Sequence, residues 1–160
     1  MLDIFKLIEK KTSRKNFAYI NNNKKFTYYD LSLKIGSIKK VINKNNIKNN
    51  RIGILLNQGI DYGAAIVSIP LSKNVGVLLT KKWKTFEILK AIKTSCTNYI
   101  ISDNNFIEGI KTKVIENFGN LYLLRLYVNI KNKLSKNNDA IIIFSSGTTG
   151  SSKGVVLTRK

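Results

Sequence analysis

The sequence predicts an α/β protein whose largely parallel sheet is flanked by helices. Short apolar runs bounded by polar residues recur at 52–56, 75–79, 99–101 and 140–144. Between the first three stand segments whose apolar residues repeat at helical spacing, at 60–69 and 85–96. Strands that alternate with helices in this way imply parallel pairing, because each parallel neighbour needs a crossover connection.

Taken in order, residues 2–10 carry Ile4, Phe5, Leu7 and Ile8 as a short amphipathic helix. Residues 17–20 and 25–27 flank Asn21, Asn22 and Asn23, turn formers that suggest a hairpin. Thr27 stands three residues before Asp30, the spacing of a capping box. Leu31, Ile35, Ile38, Val41 and Ile42 continue that helix on one face until the asparagine-rich stretch 43–50. Residues 52–56 suit a buried strand, and 60–69 a packed helix containing Gly63, Ala64 and Ala65 that Pro70 and Leu71 should break. A strand at 75–79 precedes a helix at 85–96, expected to turn Phe86, Leu89, Ile92 and Cys96 inward, and residues 99–101 make another strand.

Beyond Asp103 the pattern weakens. Phe106, Ile107 and Ile110 fit a helix or a loop, 121–128 a strand, and 131–138 a polar connection. Asp30, Glu87 and Asp103 read as capping or helix-start residues, and Gly53 and Gly63 as close-packing positions. Trp83, set among lysines, reads as a half-buried aromatic ahead of a helix rather than a stacking platform. No internal repeat, linker or domain boundary interrupts the 160 residues.

Composition narrows the chemistry. With no histidine, a Ser-His-Asp triad, a Cys-His pair and a histidine-based zinc site are excluded within this sequence. The single cysteine, Cys96, cannot close an internal disulfide, which fits a reducing cytoplasm, and the first residues resemble neither a signal nor a transit peptide. No apolar run approaches the length of a membrane span. The formal net charge of +19 raises nucleic acid or another polyanion as a partner. Yet the basic residues are nearly all lysine, accompanied by abundant asparagine and isoleucine. These three share A/T-rich codons, so genome composition accounts for the charge. Arginine, the better reader of phosphate and guanine, occurs only at 14, 51, 125 and 159, so no specific nucleic acid is expected.

The densest chemical signal follows the apolar run at 140–144. Ser145, Ser146, Thr148 and Thr149 offer hydroxyls, Gly147 and Gly150 let backbone amides approach a ligand, and Lys153 adds a mobile cation. Such a set of donors suits a polyphosphate. A Walker-type loop fails in register: Ser152 stands where glycine must precede the lysine, and Gly154 where a metal-binding hydroxyl must follow it. An ordinary hairpin turn between 140–144 and 154–157 is the plainer alternative.

The run from Ile142 to Thr158 closely resembles the AMP-binding signature of the adenylate-forming superfamily, which includes acyl-CoA synthetases, amino-acid-activating adenylation domains and luciferases. Residues 26–31, 51–57, 69–71 and 99–103 resemble that superfamily's earlier landmarks, in order. The resemblance implies attack of a carboxylate on the α-phosphate of ATP, giving an acyl-adenylate and pyrophosphate. A thiol acceptor, coenzyme A or a carrier-protein pantetheine, then takes the acyl group. It further implies that Ser145, Ser146, Gly147, Thr148, Thr149, Gly150 and Lys153 contact the departing phosphates with Mg2+, where donors offset developing charge. Two positions depart from the pattern: Ser152 replaces a usual proline, and Arg159 a frequent histidine. The adenine, ribose and carboxylate-contacting segments of such enzymes would lie past Lys160. The expectation is therefore a partial N-terminal AMP-binding domain over 1–160, ending after the phosphate loop at 145–154 and inactive as this chain alone. A basic polyanion-binding module and a degenerate gene product remain as alternatives.

Overall fold

The capping box at Thr27 is where the chain changes from hairpin to helix. A computed structural model describes residues 14–21, 24–128, 138–145 and 153–159, with Asn21 and Ser145 as backbone only. The helix expected at 2–10, Asn22 and Asn23 of the turn, and 131–137 of the polar connection lie outside the described residues. Strands β1 (Phe17–Asn21) and β2 (Lys24–Thr27) pair antiparallel. Helix α1 (Tyr28–Lys44) follows at once. Asp30 N–H donates to Thr27 Oγ1 at 3.2 Å, and Thr27 N–H donates to Asp30 Oδ2 at 2.7 Å. Each satisfies an amide that the first helical turn would leave without a partner. Ile35, Ile38, Val41 and Ile42 form its buried stripe.

The remaining elements are β3 (Arg51–Leu55), α2 (Ile60–Leu71), β4 (Val75–Leu78), α3 (Thr85–Ser95), β5 (Tyr99–Ser102), β6 (Thr112–Phe118), β7 (Leu121–Leu126), β8 (Asp139–Ser145) and β9 (Lys153–Thr158). Seven strands form one sheet in the order β6-β7-β5-β3-β4-β8-β9. The central four, β5, β3, β4 and β8, run parallel. Hairpin partners extend the sheet antiparallel at both flanks, β7 and β6 on one side and β9 on the other. The expected parallel centre is present, and the flanks are antiparallel: β6 and β7 are joined by a tight hairpin, which can only pair that way, and β7 and β9 run against β5 and β8.

Each face of the sheet is covered. Helices α1 and α2 pack Ile35, Ile42, Ala64 and Ile69 against Ile52, Ile54 and Ile141. Helix α3 and the loop after β5 pack Ile88, Ile92, Ile107 and Ile110 against Val75, Val77, Ile100 and Ile142 on the other side. Gly53 sits at the centre: a Cβ there would stand 2.9 Å from Ile100 Cγ1 and 3.0 Å from Leu79 Cδ1. The close approach expected of Gly53 is real. At Gly63 a Cβ would meet nothing within 4 Å, so that expectation is overturned.

Two further expectations are corrected, and one strand is new. Helix α3 buries Ile88, Ala91, Ile92 and Ser95, whereas Phe86 is two-thirds exposed and Cys96 is a half-buried, left-handed cap. The buried residues recur at i, i+3, i+4 and i+7, the spacing of a core stripe, and the large Phe86 in the first turn drew the expected face about a quarter turn away. Pro70 lies inside the last turn of α2 rather than ahead of its end, since the helix needs only one more residue before Ser72 caps it. Strand β6 was not anticipated, because its mixed sequence borders solvent on both faces.

Candidate functional site

Parallel strands place their carboxyl ends on one edge. The residues that follow β3, β4 and β5, namely Asn57, Lys81 and Asp103, meet there, and β8 ends there at Ser145. The chain leaves β3 for α2 on one face and leaves the adjacent β4 for α3 on the other. Such divergence between neighbouring strands opens a crevice at the carboxyl edge, the usual ligand position in open α/β sheets.

The crevice carries a polar cluster. Lys81 forms an ion pair with Asp103, and Asn57 Nδ2 donates to Asp103 Oδ2 at 3.4 Å. Asp103 therefore ties the connections after β3, β4 and β5 together. It begins no helix, which corrects the capping role expected from sequence. Lys81 and Asn57 went unremarked, although each follows a strand by two or three residues and could have been found from that placement alone. Asp103 and Asn57 also line a cleft of about 360 Å³ with Tyr19, Lys24, Gln58 and Asp61.

Strands β8 and β9 bring the hydroxyl-rich segment to the same edge. Their antiparallel register runs from Asp139 opposite Thr158 to Ser145 opposite Lys153. Ser146, Gly147, Thr148, Thr149 and Gly150 lie outside the described residues. The two strands of the hairpin weighed as a plain turn are thus paired, and the residues between them, 146–152, all lie outside the described residues. Lys153 is exposed on the first residue of β9. Beside this mouth, Trp83 is half-buried and meets Phe144 edge-on, ring centroids 6.0 Å apart.

Arg159 stands at the opposite edge. Because β9 returns antiparallel, the residue after it lies at the amino ends of β4 and β8. Its Nη2 donates to Asn74 O at 3.1 Å and its N–H to Asn138 O at 2.7 Å. Burial lowers its guanidinium pKa, and nearby Asp139 pushes the other way. Arg159, where the resemblance leads one to expect a histidine, serves here to anchor a strand end.

The Ser145 and Lys153 backbones pair at the mouth, and every residue from 145 to 153 is a serine, threonine, glycine or lysine. Among the described residues no cluster of three His, Cys, Asp or Glu side chains is placed to hold a metal. None of their helices is long and apolar enough to cross a membrane.

The chain matches the family of AMP-binding enzymes over residues 8–160. It is 22% identical to gramicidin S synthase 1 of Brevibacillus brevis over 167 aligned positions, covering 98% of this chain and 15% of that protein. With malonate–CoA ligase of Arabidopsis thaliana the identity is 26% over 136 positions, covering 75% of this chain and 22% of that one. Its fold matches the N-terminal subdomain of NpsA from Klebsiella oxytoca with a TM-score of 0.73 and 20% identity, covering 99% of this chain and 41% of that one. The o-succinylbenzoate coenzyme A synthetase MenE of Bacillus subtilis, solved in complex with AMP, gives a TM-score of 0.70 and 20% identity over 97% of this chain and 42% of that one. The chain spans less than a quarter of either curated relative and about two-fifths of the solved chains.

Proposed function

The chain belongs to the AMP-binding enzyme family, and from that premise we propose that it forms the N-terminal part of an ATP-dependent, AMP-forming carboxylate ligase. The observation that carries the reading is the hairpin at the carboxyl edge of the sheet, where β8 and β9 bring Ser145 and Lys153 together at the two ends of the hydroxyl and glycine run. In the proposed reaction, a substrate carboxylate oxygen attacks the α-phosphorus of ATP, the bond to the β-phosphate bridging oxygen breaks, and pyrophosphate leaves. Negative charge then gathers on the β- and γ-phosphates, where a lysine and backbone and hydroxyl donors stabilise it most. Ser145, Ser146, Gly147, Thr148, Thr149, Gly150 and Lys153 are the proposed contacts, with Lys153, Thr148 and Thr149 carrying most of the effect.

ATP enters as its Mg2+ salt, and none of the described residues is assigned to the metal. Transfer of the acyl group to coenzyme A or to a carrier-protein pantetheine completes the proposed sequence, supported by the kinship with a malonate–CoA ligase. Fatty, aryl and amino acids all remain candidate substrates. A cytoplasmic location suits a chain with one cysteine. The 160 residues by themselves are proposed to be inactive, because phosphate donors without a nucleoside pocket give few contacts.

The test uses the protein purified from its own cells, with its intact mass recorded. It is incubated with ATP, Mg2+ and a panel of fatty, aryl and amino acids, and pyrophosphate release is measured alongside acyl-adenylate by mass. Release that depends on one class of carboxylate supports the reading and names that class. No carboxylate-dependent release from any member contradicts it.

A further inference from the structure

We propose that the Lys81–Asp103 ion pair is a latch at the carboxyl edge of the sheet, which a phosphate group of a bound ligand opens by taking the Lys81 ammonium from Asp103. Along this edge the strands stand in the order β5, β3, β4, β8. Lys81 follows β4 and Asp103 follows β5, so the lysine reaches past the end of β3 to its partner, a span of two strand spacings, about 10 Å. The end of β8 stands one spacing to the other side of β4. The same four-carbon stem that now bridges toward β5 can swing to cover that side instead.

The pair also divides the edge. Asp103 borders the cleft of about 360 Å³ that holds Leu56 and Asn57 on the face of α1 and α2. Lys81 borders a second cleft, of about 320 Å³, with Leu55, Thr85, Ile88 and Ser102 on the face of α3. The ion pair runs from one cleft to the other, and its opening joins them.

The lysine is the side that moves. The backbone beside it is fixed, since Lys82 N–H donates to Thr80 Oγ1 at 3.3 Å and Trp83 N–H donates to Thr80 O at 3.2 Å. Asp103 has a short side chain and also accepts from Asn57 Nδ2 at 3.4 Å. The two paired side chains are 29% and 25% exposed, and an ion pair that meets water in this way holds weakly. A phosphate carries more charge and more acceptor oxygens than a carboxylate, so it outcompetes Asp103 for the ammonium. The overall field favours an anion rather than a cation as the opener, because 28 lysines and arginines stand against nine acidic residues.

Where the phosphate belongs to ATP, the latch rests on the ligase reading, so the test keeps the two apart. It uses the protein from its own cells and three variants of it. Asp103→Asn keeps an acceptor for Asn57 and releases Lys81, Lys81→Met keeps the stem without the charge, and Lys81→Arg keeps the charge. Inorganic pyrophosphate is the probe, with its affinity read by calorimetry. Brief acetylation followed by mass analysis reads how available the Lys81 amine is. Asp103→Asn is expected to acetylate at Lys81 about five-fold faster than the wild type, to lose that gain at saturating pyrophosphate, and to bind pyrophosphate about five-fold more tightly. Lys81→Met is expected to bind it about five-fold more weakly, and Lys81→Arg to restore most of the loss. The opposite signs are the signature, because packing lost from either partner would move both variants the same way.

Affinity shifts of the same sign, no shift, or a wild type that binds no pyrophosphate would overturn the latch. Carboxylate-dependent exchange of pyrophosphate into ATP is followed on the same proteins. If the opposite shifts hold while the wild type shows no such exchange, the latch stands and the ligase reading is what fails.

Discussion

Ser145 and Lys153 face each other as the last cross-strand pair of β8 and β9. Both ends of the hydroxyl and glycine run therefore leave the sheet side by side, at the edge where Asn57, Lys81 and Asp103 already gather. A parallel sheet collects loop residues there whatever the ligand. The proposal that the ligand is a phosphate rests on the composition of the segment between Ser145 and Lys153.

The two glycines singled out in the sequence should respond oppositely to alanine. Gly53→Ala forces a Cβ to within 2.9 Å of Ile100 Cγ1 in the middle of the sheet. It is expected to cost about 2 kcal/mol as overpacking. Gly63→Ala enters open space within α2 and should stabilise by about 0.5–1 kcal/mol through helix propensity. Urea midpoints of the two variants check both signs.

Asn74 is fully buried at the amino edge, donating from Nδ2 to Ile47 O at 2.9 Å and Ser72 O at 2.7 Å while accepting from Asn50 N–H at 2.9 Å. Asn74→Ala leaves those three backbone groups without that partner, at an expected cost of about 3 kcal/mol. Asn74→Asp should cost at least as much, since it sets a fully buried carboxylate against the Ile47 and Ser72 carbonyls and keeps only the bond from Asn50. Thermal unfolding of the pair measures the difference.

Stability should fall in acid. Hydrogen bonds from the Thr27 backbone and side chain hold Asp30 below its ordinary pKa, and those from Lys44 and Asn45 hold Glu116 below its own. Each lowered carboxyl contributes stability that is present above its unfolded pKa, near 4, and is lost as pH falls through its lower folded value. Melting temperature followed from neutral pH downward should drop across that window. The drop should shrink in Asp30→Asn combined with Glu116→Gln, and an identical acid limb in the double variant would contradict the assignment.

Much of this fold was legible because local and global signals agreed. At Thr27 and Asp30 a capping box, an apolar stripe and an asparagine-rich stop all pointed to one helix, and α1 formed there. Helix α3 was placed correctly but rotated, because half of its buried stripe is the small Ala91 and Ser95 beside Ile88 and Ile92, while Phe86 and Leu89 are conspicuous. Strand β6 escaped notice because an edge strand between lysines and Glu116 has no single apolar face, and only its turn at Gly119, with φ of 66°, marks the hairpin. The segment 145–153 stands out by residue type alone, and its phosphate role is the part that the proposed experiments address. The cluster of Asn57, Lys81 and Asp103 was not legible, because those residues are 24 and 22 positions apart and only sheet order unites them.

Carboxylate-dependent exchange of labelled pyrophosphate into ATP, comparing the wild type with Lys153→Ala in the protein from its own cells, tests the central claim most directly. Loss of a charge-assisted contact to the leaving phosphates is expected to slow exchange about 100-fold, with the melting temperature unchanged because Lys153 is exposed. Exchange that proceeds equally well without the Lys153 amine, or that no carboxylate elicits from the wild type, would contradict it.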